Sequence, residues 1–130
     1  MTILHWLALV ALLTALLWLP YVLPRLLRHG LGRAVGNPPP GGLDTSPWAT
    51  RAQAAHRNAV ENLVVFATLA LVAQAAGHGE ATLVTLAGPI YFFSRLTHFV
   101  VYTLGIPWLR TLAFSGGVIA QIMLAWEILL

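Results

Sequence analysis

Apolar residues fill four long stretches of the chain, and short polar or Gly/Pro-rich breaks separate them. Ile3 to Leu23 is apolar almost throughout, long enough to cross a hydrocarbon core of ~30 Å. The break Gly30 to Pro47 holds Gly30, Gly32, Gly36, Asn37, three consecutive prolines, Gly41, Gly42 and Asp44, so no helix is expected to continue through it. Ser46-Pro47 then has the pattern of an N-cap and first helical residue. A second helix is predicted from Pro47 to about Ala76. Its apolar part, Leu63 to Ala76, covers only about 21 Å at ~1.5 Å per residue, so the Asn58 to Asn62 turn must also lie at membrane depth. Gly77-His78-Gly79-Glu80 reads as a tight turn on the opposite side. Ala81 to Leu104 is the third span, with Gly88-Pro89 as a kink. Gly105-Ile106-Pro107 is the next turn, and Leu109 to Leu130 the fourth span. The expected fold is an all-α integral membrane four-helix bundle. It forms one domain, residues 1–130, with spans near 3–24, 48–76, 81–104 and 108–130 and a loop near 25–47.

Composition agrees: 58% of residues are hydrophobic and 8% charged, against about 25% charged in soluble domains. The chain has no cysteine, which excludes disulfides and thiolate metal sites, and no metal is expected. The first run lacks a basic leader and a small-residue cleavage site, so it is read as a span and not as a signal peptide. All seven basic residues are arginine, and Arg25, Arg28, Arg33, Arg51 and Arg57 lie in the first loop and its flanks. That bias puts the loop in the cytoplasm. Arginine-only, Ala/Leu-rich usage fits a GC-rich genome. No basic stripe on a soluble face offers a nucleic-acid surface. Trp48 and Trp108 suit the membrane interface. Ala113/Gly117 and Gly116/Ala120 favour close helix contact, and Gln74 and Gln121 are candidate interhelical hydrogen bonders.

The polar stretch Arg51 to Asn62, RAQAAHRNAVEN, continues directly into an apolar helix, which is costly unless it is used. Arg57 and Glu61 are four apart and share a face with Asn58 beside them. They form either an intrahelical pair or part of a site. On the third span Arg95, His98 and Tyr102 fall on one helix face. Arg110 opens the fourth span. Depth arithmetic places Arg57, Asn58, Glu61, Arg95, His98, Tyr102 and Arg110 at one level near the cytoplasmic side. The set is donor-rich with a single carboxylate, so arginines are left over for an anionic ligand that also carries an amine for Glu61. A phospholipid headgroup held by a non-catalytic lipid-binding or scaffolding protein is the competing expectation, though a phosphate gains nothing from Glu61.

The segments RAQAAHRNAVEN, R-L-T-H-F-V-V-Y and P-W-L-R-T-L-A-F-S-G-G resemble the MAPEG family, the membrane-associated proteins in eicosanoid and glutathione metabolism. The likeness covers the second to fourth spans. Ala54 stands where several eicosanoid-pathway members have an arginine, and Val64-Val65 replaces a proline-containing step common after the E-N pair. The chain looks most similar to the bacterial members, which implies a multi-pass protein of a bacterial inner membrane. The resemblance implies a homotrimer that binds glutathione, as co-substrate, between neighbouring subunits near the cytosolic face. It implies that Arg57, Asn58, Glu61, His98 and Tyr102 contact glutathione, with Arg95 on the same face and Thr111 where some members have serine. Arg28, at the end of the first span, aligns with a further binding arginine. Arg110 matches the arginine beside the sulfur, the expected catalytic residue. The implied activity is attack of the glutathione thiolate on a lipophilic small-molecule electrophile or peroxide arriving from the bilayer.

Overall fold

The computed structural model describes residues 1–37, 40 and 46–130. Among these residues the chain is helical and contains no strand. The first apolar run folds as two helices. In α1 (Ile3–Leu16), the Thr2 backbone N–H donates to His5 Nδ1 at 3.3 Å and so gives the N-terminus a local partner. α1 ends four residues before Pro20, which has no N–H for the Leu16 carbonyl and whose ring would crowd it. After a turn at Leu17-Trp18, α2 (Leu19–Val35) continues. Together they provide one stretch long and apolar enough to cross a membrane.

The expected boundaries near residues 24 and 25 are corrected here. The helix runs on through Arg25, Arg28 and His29, and it resumes beyond Gly30 as far as Val35. Gly30 is the actual interruption, with φ 76° and ψ 164°, a backbone conformation that favours glycine. Gly41, Gly42 and Asp44 lie outside the described residues.

Ser46 and Pro47 open α3 (Pro47–Ala75) as expected, with Ser46 in extended conformation and Pro47 first in the helix. The α3 residues that face the interior are mostly alanine. Ala52, Ala59, Phe66 and Ala73 recur every seven residues, with Ala49, Ala55 and Ala70 between them, and all seven are buried. Small side chains at this spacing let neighbouring helices approach closely. The helix ends at a Schellman turn in which Gly77, at φ 85°, donates to the Gln74 carbonyl (3.2 Å) and His78 to that of Ala73 (2.9 Å). Gly105, at φ 79°, repeats the motif after α4 (Thr82–Leu104), with Ile106 N–H on the Val101 carbonyl at 3.0 Å. Pro107 then starts α5 (Pro107–Leu129). These ends define two sides of the bundle: a loop side, carrying the α2–α3 connection and Gly105, and a turn side, carrying Gly77.

The interior divides along the membrane normal. Towards the turn side, Ile3, Val10, Phe66, Ala70, Ala73, Val84, Ala87, Tyr91, Ala120 and Leu124 form one buried cluster. At its centre Phe66 and Tyr91 stack 3.8 Å apart and 3° from parallel. Towards the loop side Leu17, Ala52, Ala55, Ala59 and Phe99 form a second cluster. Glycines allow the tightest crossings. A Cβ at Gly88 would run into the Trp6 ring, and one at Gly117 would overlap the Arg95 guanidinium. Gln121 Nε2 donates to the Asn62 carbonyl at 3.2 Å, as an interhelical bond, whereas Gln74 lies over the Gly79 turn of its own connection. On the turn side His78 Nδ1 and Glu127 Oε1 are 3.6 Å apart.

Gly117 and Gly116 differ in what a methyl would displace. Gly116 faces the Ser94 hydroxyl, the end of a small side chain, and Gly117 faces a buried, hydrogen-bonded guanidinium. Gly117→Ala should therefore destabilise the protein by about 1–3 kcal/mol and Gly116→Ala by less. Thermal unfolding in detergent would read this out, and equal losses for the two variants would contradict the tight seat assigned to Arg95.

Candidate functional site

Near the loop side, α3, α4 and α5 surround a cavity of about 210 Å³ lined by Asn58, His98, Tyr102, Arg110, Thr111 and Phe114. Helical spacing explains the lining. His98 and Tyr102 are four apart on α4, and Arg110 and Phe114 are four apart on α5, so each pair stacks along one face. The His98 and Tyr102 rings meet edge to face at 5.4 Å, and His98 also contacts Phe114 at 6.0 Å. The Arg110 guanidinium lies 4.6 Å from the Tyr102 ring centroid, a cation–π contact. The Thr111 hydroxyl donates to the Pro107 carbonyl at 3.2 Å, which leaves its oxygen as an acceptor.

Arg95 sits one storey deeper. It is 2% exposed and lies against Gly117, about two helical turns further into α5 than Arg110. The shared level expected from depth arithmetic thus resolves into two layers. Nη1 donates to Asn58 Oδ1 at 3.3 Å and Nη2 to the Phe114 carbonyl at 3.1 Å. The guanidinium also lies 5.4 Å and 5.3 Å from the Tyr91 and Phe114 rings. Arg95 does not line the cavity; it orients what does. An arginine can only donate, so Asn58 must turn its carbonyl oxygen towards Arg95, and its amide NH₂ is left to face a ligand. Asn62 Nδ2, bonded to the Asn58 backbone carbonyl at 2.9 Å, braces the same turn.

Of the residues expected at the site, Asn58, His98, Tyr102, Arg110 and Thr111 converge on the cavity, with Arg95 beneath them. Arg57 and Glu61 do not converge on it within one chain. Both are exposed on the outer face of α3. The alternative that they pair with each other does not hold, because among the described residues the only ion pair joins His78 and Glu127. Arg28 is exposed on α2, apart from the cavity lining. No described carboxylate lies within 4.0 Å of any arginine. The cavity and its floor therefore carry two cations, Arg95 and Arg110, against none of the opposite sign.

Four further residues were not among the expected site residues. Phe114 supplies a ring and a carbonyl; its place one turn after Arg110 was the available signal. Arg51, expected only as one of the orienting charges of the loop, donates from Nε to the Thr103 carbonyl at 3.0 Å and packs against Gly105. It thereby satisfies the open carbonyl end of α4 next to Tyr102. Tyr21 Oη and His56 Nδ1 are 2.8 Å apart and tie α2 to α3.

This division predicts contrasting effects. Asn58→Ala leaves the buried Arg95 Nη1 without its acceptor and should lower stability by about 1–3 kcal/mol. Arg57→Ala, at an exposed position, should stay within about 0.5 kcal/mol. Unfolding transitions of the two purified variants would test this, and a neutral Asn58→Ala would contradict the positioning role of Arg95.

Comparison with known proteins agrees with this architecture. The MAPEG family model matches residues 3–130, essentially the whole chain. No curated protein and no solved structure gives a significant match. With four helices able to cross a membrane and a family match that takes in the cavity-bearing helices α3 to α5, the chain is an integral, multi-pass membrane protein belonging to the MAPEG family.

Proposed function

We propose that the protein binds glutathione and activates its thiol for conjugation to a lipophilic electrophile or reduction of a lipophilic peroxide. The observation that carries this reading is a donor-lined cavity with Arg110 in its wall and Arg95 beneath it, and, among the described residues, no carboxylate within 4.0 Å of either. Such a site suits an anion. Arginine forks and the Asn58 amide match the two carboxylates of glutathione, and Glu61 matches its ammonium.

The cavity volume bears on assembly. About 210 Å³ is below the ~300–1,000 Å³ of usual small-molecule sites, and Arg57 and Glu61 stand on a neighbouring exposed face at membrane depth, where unpaired charges are costly. Both facts fit a site completed by a second copy of the chain in a homotrimer, with Arg57 and Glu61 turned to the ligand at the subunit boundary and the site near the cytoplasmic face.

Arg110 is the group placed to act on sulfur. It lies in the first turn of α5, where the helix N-terminus adds partial positive charge. A thiol of pKa about 8.5 lowered by about 2 units would be mostly thiolate at neutral pH, a differential stabilisation of about 2.7 kcal/mol. The thiolate attacks the electrophilic carbon, a C–S bond forms, and the leaving group departs. With a peroxide it attacks the terminal oxygen: an S–O bond forms, the O–O bond breaks, and the alkoxide leaves and takes up a proton to become the alcohol. A second glutathione then reduces the sulfenic acid to the disulfide and water. His98 and Tyr102, neither bonded to a protein group through its polar atoms among the described residues, are available to donate to the ligand.

Calorimetry on detergent-purified protein should show glutathione binding, with measurable turnover of a chlorinated aromatic acceptor. Arg110→Ala should abolish the ultraviolet thiolate absorbance that appears on adding glutathione, with assembly unchanged. Unaltered thiolate formation in that variant would remove Arg110 from this role, and absence of binding to the unmodified protein would overturn the glutathione reading as a whole.

A further inference from the structure

The loop-side part of α2 is a second concentration of charge that the cavity does not use. Arg25, Arg28, His29 and Arg33 fall within nine residues, and residues 1–43 contain no Asp or Glu. No described carboxylate approaches these arginines. The helix packed beside them adds Arg51 and His56, its one carboxylate, Glu61, lying more than a turn further along, and the Tyr21–His56 bond holds the two helices together. Arg25 is half-buried, and its Nε is buried with no protein acceptor.

Apolar side chains alternate with this charge. Leu27, Leu31 and Val35 are 78%, 67% and 75% exposed, and no residue of α2 is buried. Depth matches the pattern. From Ile3 to Arg25 the chain rises about 33 Å if helical, just beyond a hydrocarbon core of ~30 Å. The arginines therefore stand at headgroup level with leucines between them. Gly30, whose backbone breaks the helix and whose missing side chain would meet nothing within 4 Å, bends the segment at that level without a packing requirement.

We propose that α2 from Arg25 to Val35 is a binding arm for anionic phospholipid. The exposed guanidinium ends of the arginines hold the phosphates of the nearer leaflet, and Leu27, Leu31 and Val35 lie among the first methylenes of the acyl chains. Charge complementarity selects this occupant: the segment is uniformly cationic, and a zwitterionic headgroup would bring its own cation to a surface with no carboxylate to receive it. Guanidinium forks suit phosphate, and clusters of basic residues beside a span are attracted to anionic leaflets. The proposal does not rest on glutathione binding.

The test uses the full chain, exchanged into nanodiscs of equal parts phosphatidylcholine and phosphatidylglycerol and then re-extracted in mild detergent, with the retained lipid quantified. Phosphatidylglycerol should be enriched several-fold. Arg33→Gln, at an exposed position, should weaken retention about fivefold at low salt, and Arg25→Gln/Arg33→Gln further, with the difference shrinking as salt rises. Millimolar glycerol phosphate should not displace the lipid; displacement would identify a soluble phosphate site and overturn the proposal. Glutathione binding to Arg33→Gln should be unchanged. Equal retention of both lipids, or enrichment that Arg33→Gln leaves intact, would also overturn it. So would an Arg33→Gln change in oligomeric mass with no change in lipid, which would show that a second copy covers the arm.

Discussion

Arg95 is a charge buried in a bundle that crosses the membrane, and the site is arranged around keeping it there. Desolvating a guanidinium costs several kcal/mol, and among the described residues no carboxylate offsets that cost. Neutral acceptors and ring faces take its place: the Asn58 amide oxygen, the Phe114 carbonyl, and the faces of Tyr91 and Phe114. Asn58 belongs to α3, Tyr91 to α4 and Phe114 to α5, so the cation ties the three helices at one point. Gly117 makes room for it. Nη1 and Nη2 have acceptors while Nε has none, and because no described carboxylate pairs with the charge, its field remains at the base of the cavity, where Arg110 adds to it.

That arrangement links packing to ligand choice. Orienting Asn58 by its oxygen fixes the donor it presents, and the alanine-lined face of α3 lets the helix come close enough for the contact. Arg51 does the corresponding work at the end of α4, where it satisfies a terminal carbonyl next to Tyr102. Among the described residues, neither the charges on the outer face of α3, Arg57 and Glu61, nor those on the loop-side part of α2 have an ion-pair partner. Both are unresolved within one chain in energetic terms. We assign the first to ligand at a subunit boundary and the second to the surrounding lipid.

Much of this was legible in the residues. The lengths of the apolar runs marked the four spans, and Gly77 and Gly105 marked the turns, because left-handed backbone at a helix end selects glycine. The i, i+3, i+7 spacing placed Arg95, His98 and Tyr102 on one face, and the structure keeps them there. Depth counted along the chain was less exact. It set Arg95 and Arg110 at one level, whereas the long arginine side chain reaches α5 at Gly117, in a layer of its own. The end of the first span was also misjudged: the glycines and prolines beyond Arg25 signalled a loop, but only Pro20 and Gly30 interrupt the helix, and the residues between and after them remain helical to Val35.

By itself the sequence determined that the chain is a four-span membrane protein with a polar, arginine-rich set of residues towards one side, since hydropathy, helical period and glycine placement are local properties. Only the tertiary structure decided which of those arginines is structural and which is open to a ligand. Arg57, Arg95 and Arg110 are the same residue type in similarly apolar helices. Their roles diverge because burial, the glycine opposite, and the nearest acceptor are set by helices distant in the chain: Arg95 meets Asn58 and Phe114, Arg110 lies over Tyr102, and Arg57 faces away from its own bundle.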